Sequence, residues 1–252
     1  MPRHLVIALQ LLPIALVALA GCGRTASRPE LVWGAKGVKP GDLVKPRAIA
    51  IAPDDRLYIV DWTARIQAFD RDGKHLGVTF STPDYRNGRP SGLSVIEDGE
   101  WKGHLVVSDS HYHCVRVYTP KGELVKTIGG QAGTAPGQLS YISDALFDAA
   151  GNLYVAEFGD NQRISKFDKD GTFVKCWGMP GGAREIDDSL QAAPVGEFAR
   201  IRAMTLGPDG NLYVADACNH RIQVFTTDGA FVRAFGTPGE GAGELSYPYD
   251  VA

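Results

Sequence analysis

One local pattern is written four times along this 252-residue chain. It reads NLYVADACNHRIQVF at Asn211 to Phe225: an apolar run ending in Asp216, a short polar loop, and a second apolar run opened by Arg221-Ile222. The same arrangement surrounds Asp61 (LYIVDWTARIQAF), Asp109 (LVVSDSHYHCVRVY) and Glu157 (NLYVAEFGDNQRISKF). Such a repeat restricts the fold strongly, because each copy must form the same small unit and bury its apolar faces against its neighbours.

Turn chemistry sets the unit. In the fourth copy RAMTLG, Asp209-Gly210-Asn211, LYVAD, a loop, RIQVF, Asp228-Gly229 and FVRAFG give four short apolar runs. Asp-Gly between such runs signals a hairpin, since both residues tolerate positive φ. Asp72-Gly73, Lys121-Gly122 and Asp170-Gly171 stand at the matching place elsewhere. Each unit is therefore expected to be a four-stranded meander, and the class is all-β. The anchors at 61, 109, 157 and 216 recur roughly every 50 residues, close to the period of a β-propeller blade. The last interval is longer, and Ala183 to Pro194 (AREIDDSLQAAP) reads as a polar insertion without strand character. Such a loop is either merely tolerated or a place where function is grafted.

Pro46, an AIAIAP run, LYIVD and Arg65-Ile66-Gln67 together resemble the NHL repeat, and Val214-Ala215-Asp216 through Asn219-His220-Arg221-Ile222 matches it almost letter for letter. The resemblance runs from about Leu31 to the last residue. It departs at Glu157, which replaces Asp, and at Cys114, which stands where Arg is usual. It implies a six-bladed propeller. Leu31 to Gly34 reads as a blade-ending strand and Leu245 to Ala252 as a blade-opening one, so the expectation is four complete blades with partial ends. On that reading the chain is a fragment, and about 80 further residues would complete the ring. The alternative is a finished four-bladed ring with frayed ends. An open arc would leave strand edges and an apolar blade face exposed.

Before the repeats, Arg3 and His4 precede an apolar run from Leu5 to Ala20 that is broken by Gln10 and Pro13. Residues 1–21 have the form of an export signal. Leu19-Ala20-Gly21-Cys22 resembles the lipobox of bacterial lipoproteins, with Cys22 the lipidated residue; a plain signal peptide or a single membrane anchor is the alternative. Residues 22–30 form a polar tether, and residues 31–252 form the propeller. The expected location is the cell envelope, with a lipid as the only attachment to a membrane surface. A net charge of −3, with Lys and Arg scattered among acids, argues against a nucleic-acid partner.

Among candidate site residues, Asp61, Asp109, Glu157 and Asp216, with Arg65, Arg163 and Arg221, recur at fixed positions. They read as structural, the acid accepting loop N–H groups and the arginine tying blades together; a ring of carboxylates is the functional alternative. In a propeller the first strand of each blade lines the central channel. Aligning the five openings places Arg47, Ser91, Ser143, Arg202 and Tyr249 at one position, with Asp144 and Asp250 one step on. Two arginines there suit an anionic ligand such as a carboxylate; solvated polar residues are the plainer reading. His111, His113 and His220 could form a metal set, although no carboxylate stands at motif spacing. Peptide-amidating lyases of the NHL type hold zinc through inner-strand histidines, and the corresponding strands here have none. Cys114, Cys176 and Cys218 read as buried thiols rather than a disulfide framework. Trp62, Tyr112 and Phe158, each close behind a repeated acid, make either an aromatic partner surface or blade packing.

Two functions compete. One is a binding or scaffold propeller for a protein, peptide or glycan, without catalytic residues, metal or cofactor. The other is a propeller enzyme of the lactone hydrolase or lyase type, with Ca or Zn in the channel held partly by Asp144 and Asp250.

Overall fold

Strand pairing in the computed structural model follows the repeat. The structure describes residues 31–83, 88–182, 184–186, 189–191 and 193–252; the signal segment 1–21 and the tether 22–30 with Cys22 lie outside them. Four antiparallel four-stranded sheets follow one another, each a simple meander. Blade 1 comprises Pro46–Ile51, Leu57–Asp61, Arg65–Phe69 and His75–Ser81; blade 2 comprises Gly92–Val95, Leu105–Asp109, Cys114–Tyr118 and Leu124–Gly129. Blade 3 comprises Tyr141–Phe147, Leu153–Phe158, Ile164–Phe167 and Phe173–Trp177; blade 4 comprises Ile201–Leu206, Leu212–Asp216, Arg221–Phe225 and Phe231–Phe235. The first strands of successive blades lie side by side and line the channel.

The second and third strands are nearly continuous apolar runs because both of their faces are covered. The cores lie between blades rather than within them. Tyr58, Ile66 and Ala68 of blade 1 pack with Leu93, Leu105 and Val107 of blade 2. Val106 and Val117 of blade 2 meet Ile142, Leu153 and Val155 of blade 3, and Tyr154 and Ile164 of blade 3 meet Leu212, Val214 and Phe225 of blade 4. Burying each such side chain stabilises the fold by about 1.5–3 kcal/mol, so the blades support one another. The hairpin glycines explain a second regularity. Gly73, Gly122, Gly171 and Gly229 all have φ between 81° and 92°. Over them lie Trp33, Phe80, Ile128 and Trp177 from the preceding blade position; a Cβ would clash at Gly73, Gly122 and Gly229 and would be tight against Ile128 at Gly171. Three of the turns thus need glycine twice, for the backbone and for the neighbour.

The repeated acid and arginine fasten the connectors between blades. Asp216 is fully buried; it accepts the Ala199 N–H (2.8 Å), Asn219 Nδ2 (2.8 Å), Gln223 Nε2 (3.0 Å) and Arg221 Nε (2.9 Å). Arg221 then donates to the carbonyls of Ala193, Pro194 and Glu197 in the segment that enters the blade. Glu157 and Arg163 repeat this on Ser140 N–H and on the carbonyls of Thr134 and Gln138. Asp61 and Arg65 do so on Val44 N–H and on the carbonyls of Val38 and Asp42. Blade 2 is the exception. With Cys114 in the arginine position, Arg116 two residues on pairs with Asp109 (2.9 Å), and Asp109 Oδ1 is buried without a partner. Desolvation accordingly raises the Asp109 carboxyl above its ordinary value, against the hydrogen bond and charge of Arg116.

Three expectations are corrected. Within the insertion, Arg184–Ile186 and Ser189–Gln191 form a small antiparallel hairpin. Its flanks are pinned together by the parallel pairing of Met179–Pro180 with Glu197–Phe198, so the inserted backbone doubles back and satisfies its own polar groups. Leu31–Gly34 and Leu245–Ala252 carry no strand; Leu245 makes only an isolated parallel bridge to Pro238, too short to form a ladder. Trp33 still occupies the place of the blade-ending residue over Gly73, and Leu245 and Val251 pack on Ala203, Ala215 and Ile222. Of the three thiols among the described residues only Cys114 is buried. Cys176 and Cys218 are exposed, one on a rim strand with a face to solvent and the other on the 3-10 turn Ala217–Asn219. Blades 1 and 4 share no strand pairing. Ile49 (58% exposed) and Ile51 (65%) stand open on blade 1, as do Phe231, Val232 and Phe235 on blade 4.

The connector clamp gives a ranked outcome in urea melts. Asp216→Ala strands a buried arginine and should cost about 3–5 kcal/mol. Asp109→Ala removes a carboxylate that is already half unsatisfied and should cost less by about 1–2 kcal/mol. Equal midpoints for the two variants would contradict the clamp.

Candidate functional site

The chain enters each blade at the loop face, so the first residues of the inner strands and the loops between second and third strands converge on one channel mouth. Trp62, in the loop after Asp61, is 40% exposed there. Three cations surround its ring: Arg89 at 4.2 Å from the centroid, Arg47 at 5.3 Å and Lys45 at 5.5 Å. Arg202 stacks at 3.9 Å on Tyr249, which is 63% exposed. Such stacking holds a guanidinium by its face and leaves the in-plane N–H groups free for a ligand. Desolvation lowers the Arg47 guanidinium from its ordinary value; Tyr249 opposes this, and the nearby charges of Arg89 and Arg202 add to it. Arg47, Arg89, Arg202 and Tyr249 therefore share one electrostatic environment. The Nε atoms of Arg89 and Arg202 are buried without a hydrogen-bond partner. Among the described residues, none of the three arginines has a carboxylate within ion-pair distance.

The other channel residues bind the scaffold. Ser91 Oγ donates to Ile142 O (2.6 Å) and Ser143 Oγ to Ala156 O (3.4 Å). Asp144 accepts the Met204 N–H from blade 4 and its neighbour Ala145 N–H, both at 2.9 Å, and so links two inner strands. Asp250 accepts Val251 N–H (2.9 Å). Desolvation pushes Asp144 up to about 6 despite its two N–H donors, with the Asp250 charge adding to the rise.

Sequence alignment of the openings found Arg47, Arg202 and Tyr249 and missed Arg89 and Lys45. Both stand two residues before an aligned position, Arg89 before Ser91 and Lys45 before Arg47. The proline that follows each of them was the available signal. Basic residues that look scattered in the sequence are thus gathered by the fold. A second aromatic group lies at the gap between blades 2 and 3. Tyr141 stacks on Phe158 (5.5 Å) with His111 and His113 against it at 5.6 and 5.9 Å. His113, Thr134, Ser140, Tyr141 and Asp160 line a cleft of about 270 Å³ beside it. Tyr112 packs near Arg116 instead. His220 sits two blades away, accepting Tyr247 N–H (3.1 Å), so the three histidines do not converge. Among the described residues no group of three or more His, Cys, Asp or Glu side chains does, and the donor set expected for Ca or Zn is not assembled there.

Comparison with known proteins bears on the repeat and the fold. Residues 198–225 match the NHL repeat. The chain is 29% identical to human NHL repeat-containing protein 3, covering 65% of this chain and 46% of that protein. It is 31% identical to Peptidyl-glycine alpha-amidating monooxygenase A of Xenopus laevis, covering 82% of this chain and 20% of the relative, and 27% identical to Teneurin-m of Drosophila melanogaster, covering 78% and 9%. The chain thus spans less than half the length of these relatives. Among solved structures it resembles a nidogen/laminin complex chain with a TM-score of 0.56 at 18% identity, covering 81% of this chain and 67% of that one. A protein of unknown function from Bacteroides caccae gives a TM-score of 0.53 at 13% identity, over 75% and 60%. The chain is a β-propeller of four-stranded blades carrying an NHL repeat.

Asp144 yields a pH test. Its folded-state value lies above the ordinary value near 4, so the folded chain binds the proton more tightly. This stabilisation is complete below about pH 4 and is lost as pH rises to about 6. Asp144→Asn should remove that slope. The stability difference between variant and wild type should shift in the variant's favour by up to about 3 kcal/mol between pH 4 and 7, read from urea melts at each pH.

Proposed function

We propose that this propeller is a binding module that presents its loop face to a protein or peptide, held at a membrane surface of the cell envelope by a lipid on Cys22. The observation that carries the binding reading is the exposed aromatic and cationic array of that face. Trp62 with its three cations and Tyr249 with Arg202 are anchors of the kind that dominate protein recognition. The relatives support it: an NHL propeller commonly serves as a protein-binding module, and one structural neighbour is itself a complex of two proteins. The N-terminal lipobox pattern supports the tether. Asp144 spends both carboxylate oxygens on backbone N–H groups and Asp250 one, which ties them to the scaffold and weighs toward the binding reading.

A displayed peptide library panned against the chain should yield binders. Trp62→Ala should weaken those binders by about 2 kcal/mol, while Lys102→Ala, in the opposite-face loop between first and second strands, should leave them unchanged. Loss on both variants, or on neither, would place recognition elsewhere. In a bacterial host, labelled palmitate should enter the chain and fail to enter Cys22→Ser; equal labelling would remove the tether.

A further inference from the structure

We propose that the channel mouth is a carboxylate-binding site, in which Arg47, Arg89 and Arg202 together take an acidic group of the partner peptide. The inference rests on the binding-module reading and adds the chemistry of what is bound. Three guanidinium groups share one mouth, none paired with a carboxylate among the described residues, and two have a buried Nε with no hydrogen-bond partner. An unsatisfied buried donor on a cation is costly; the Nε atoms of Arg89 and Arg202 are closed to solvent, so a carboxylate arriving at the mouth would be taken by the remaining N–H groups of the guanidiniums through charge-assisted bonds. Trp62 and Tyr249 hold the flat faces of the arginines, so their edges are already oriented and little side-chain freedom is lost on binding.

The same geometry discriminates among anions. Asp144, on the first strand of blade 3, and Asp250, in the strand-free segment after Leu245, stand one residue beyond Ser143 and Tyr249, and burial keeps Asp144 poorly solvated. Their negative charge disfavours a dianionic phosphate more than a monoanionic carboxylate. The net charge of −3 likewise opposes a long polyanion, whose binding depends on an extended basic surface. The carboxylate could be an Asp or Glu side chain or a chain terminus, and both present the same group.

Fluorescence anisotropy on the full chain distinguishes these cases. The probes are a labelled tetraglutamate amide, a tetraglutamine with free C-terminus, a tetraglutamine amide and octauridylate. We expect one or both carboxylate-bearing peptides to bind at least about tenfold more tightly than the tetraglutamine amide, with affinity falling as salt rises. The tetraglutamate amide and the free-terminus peptide separate side chain from terminus. Arg89→Gln and Arg202→Gln should each weaken that binding by about tenfold or more, while Lys102→Gln should not. Because a variant could misfold, Arg89→Glu combined with Arg202→Glu supplies a gain: it should bind a tetralysine amide that wild type ignores. Equal binding of all three acidic and neutral peptides, indifference to the arginine variants, or tighter binding of octauridylate would each overturn the site. Library binders that lack acidic groups would overturn it too while leaving the binding-module reading intact. Failure of every peptide, in the library and among the probes, would remove both.

Discussion

The architecture depends on a buried carboxylate joined to an arginine at the entry to blades 1, 3 and 4. A propeller has no helices to brace it, and its blades meet through flat apolar faces that could slide. The acid accepts an N–H from the segment entering its blade, and the arginine donates to several carbonyls of the same connector. Each connector is thereby fixed relative to the strands it feeds. A buried ion pair on its own is weak evidence of stability. Here its value is positional, because both charges are saturated by hydrogen bonds to backbone that would otherwise lack partners.

Fixed connectors have a consequence for function. The inner strands begin where the connectors end, so the clamp sets where Arg47, Arg89 and Arg202 stand. Blade 2 shows what happens when the clamp is relaxed. Its arginine has moved from the position of Cys114 to 116 and leaves one oxygen of Asp109 unsatisfied. The segment that clamp would fasten is the one that delivers Arg89 to Trp62.

The channel mouth also combines opposite demands. Burial lowers the Arg47 guanidinium first, and the neighbouring charges of Arg89 and Arg202 add to it; the aromatic rings offset part of that cost by presenting their negative faces. Asp144 and Asp250 do so at a distance, Asp144 by charge that is itself curtailed by burial. The mouth is thus a cluster of cations on a chain of net negative charge.

Much of the fold was legible in the sequence because a repeat converts one local pattern into a global constraint. The Asp-Gly turns, the apolar runs and the spacing of Asp61, Asp109, Glu157 and Asp216 require four-stranded units that bury their faces on one another, whatever the tertiary detail. Arg47, Arg202 and Tyr249 could be found by alignment for the same reason. What the sequence left open was everything that depends on contacts between blades. Arg89 joins the mouth only because blade 2 brings it against the Trp62 ring of blade 1, and Lys45 because the entry of blade 1 is bonded beside the Trp62 loop. His220 is separated from His111 and His113 by the intervening blade, and the exposure of Cys176 and Cys218 follows from which side of a strand or turn faces solvent. The insertion pairs with itself because its flanks are held together. Local pattern fixes a strand and its turn; which side chains meet across the channel is decided only when the blades pack, since those neighbours are brought together by blade geometry rather than by sequence spacing.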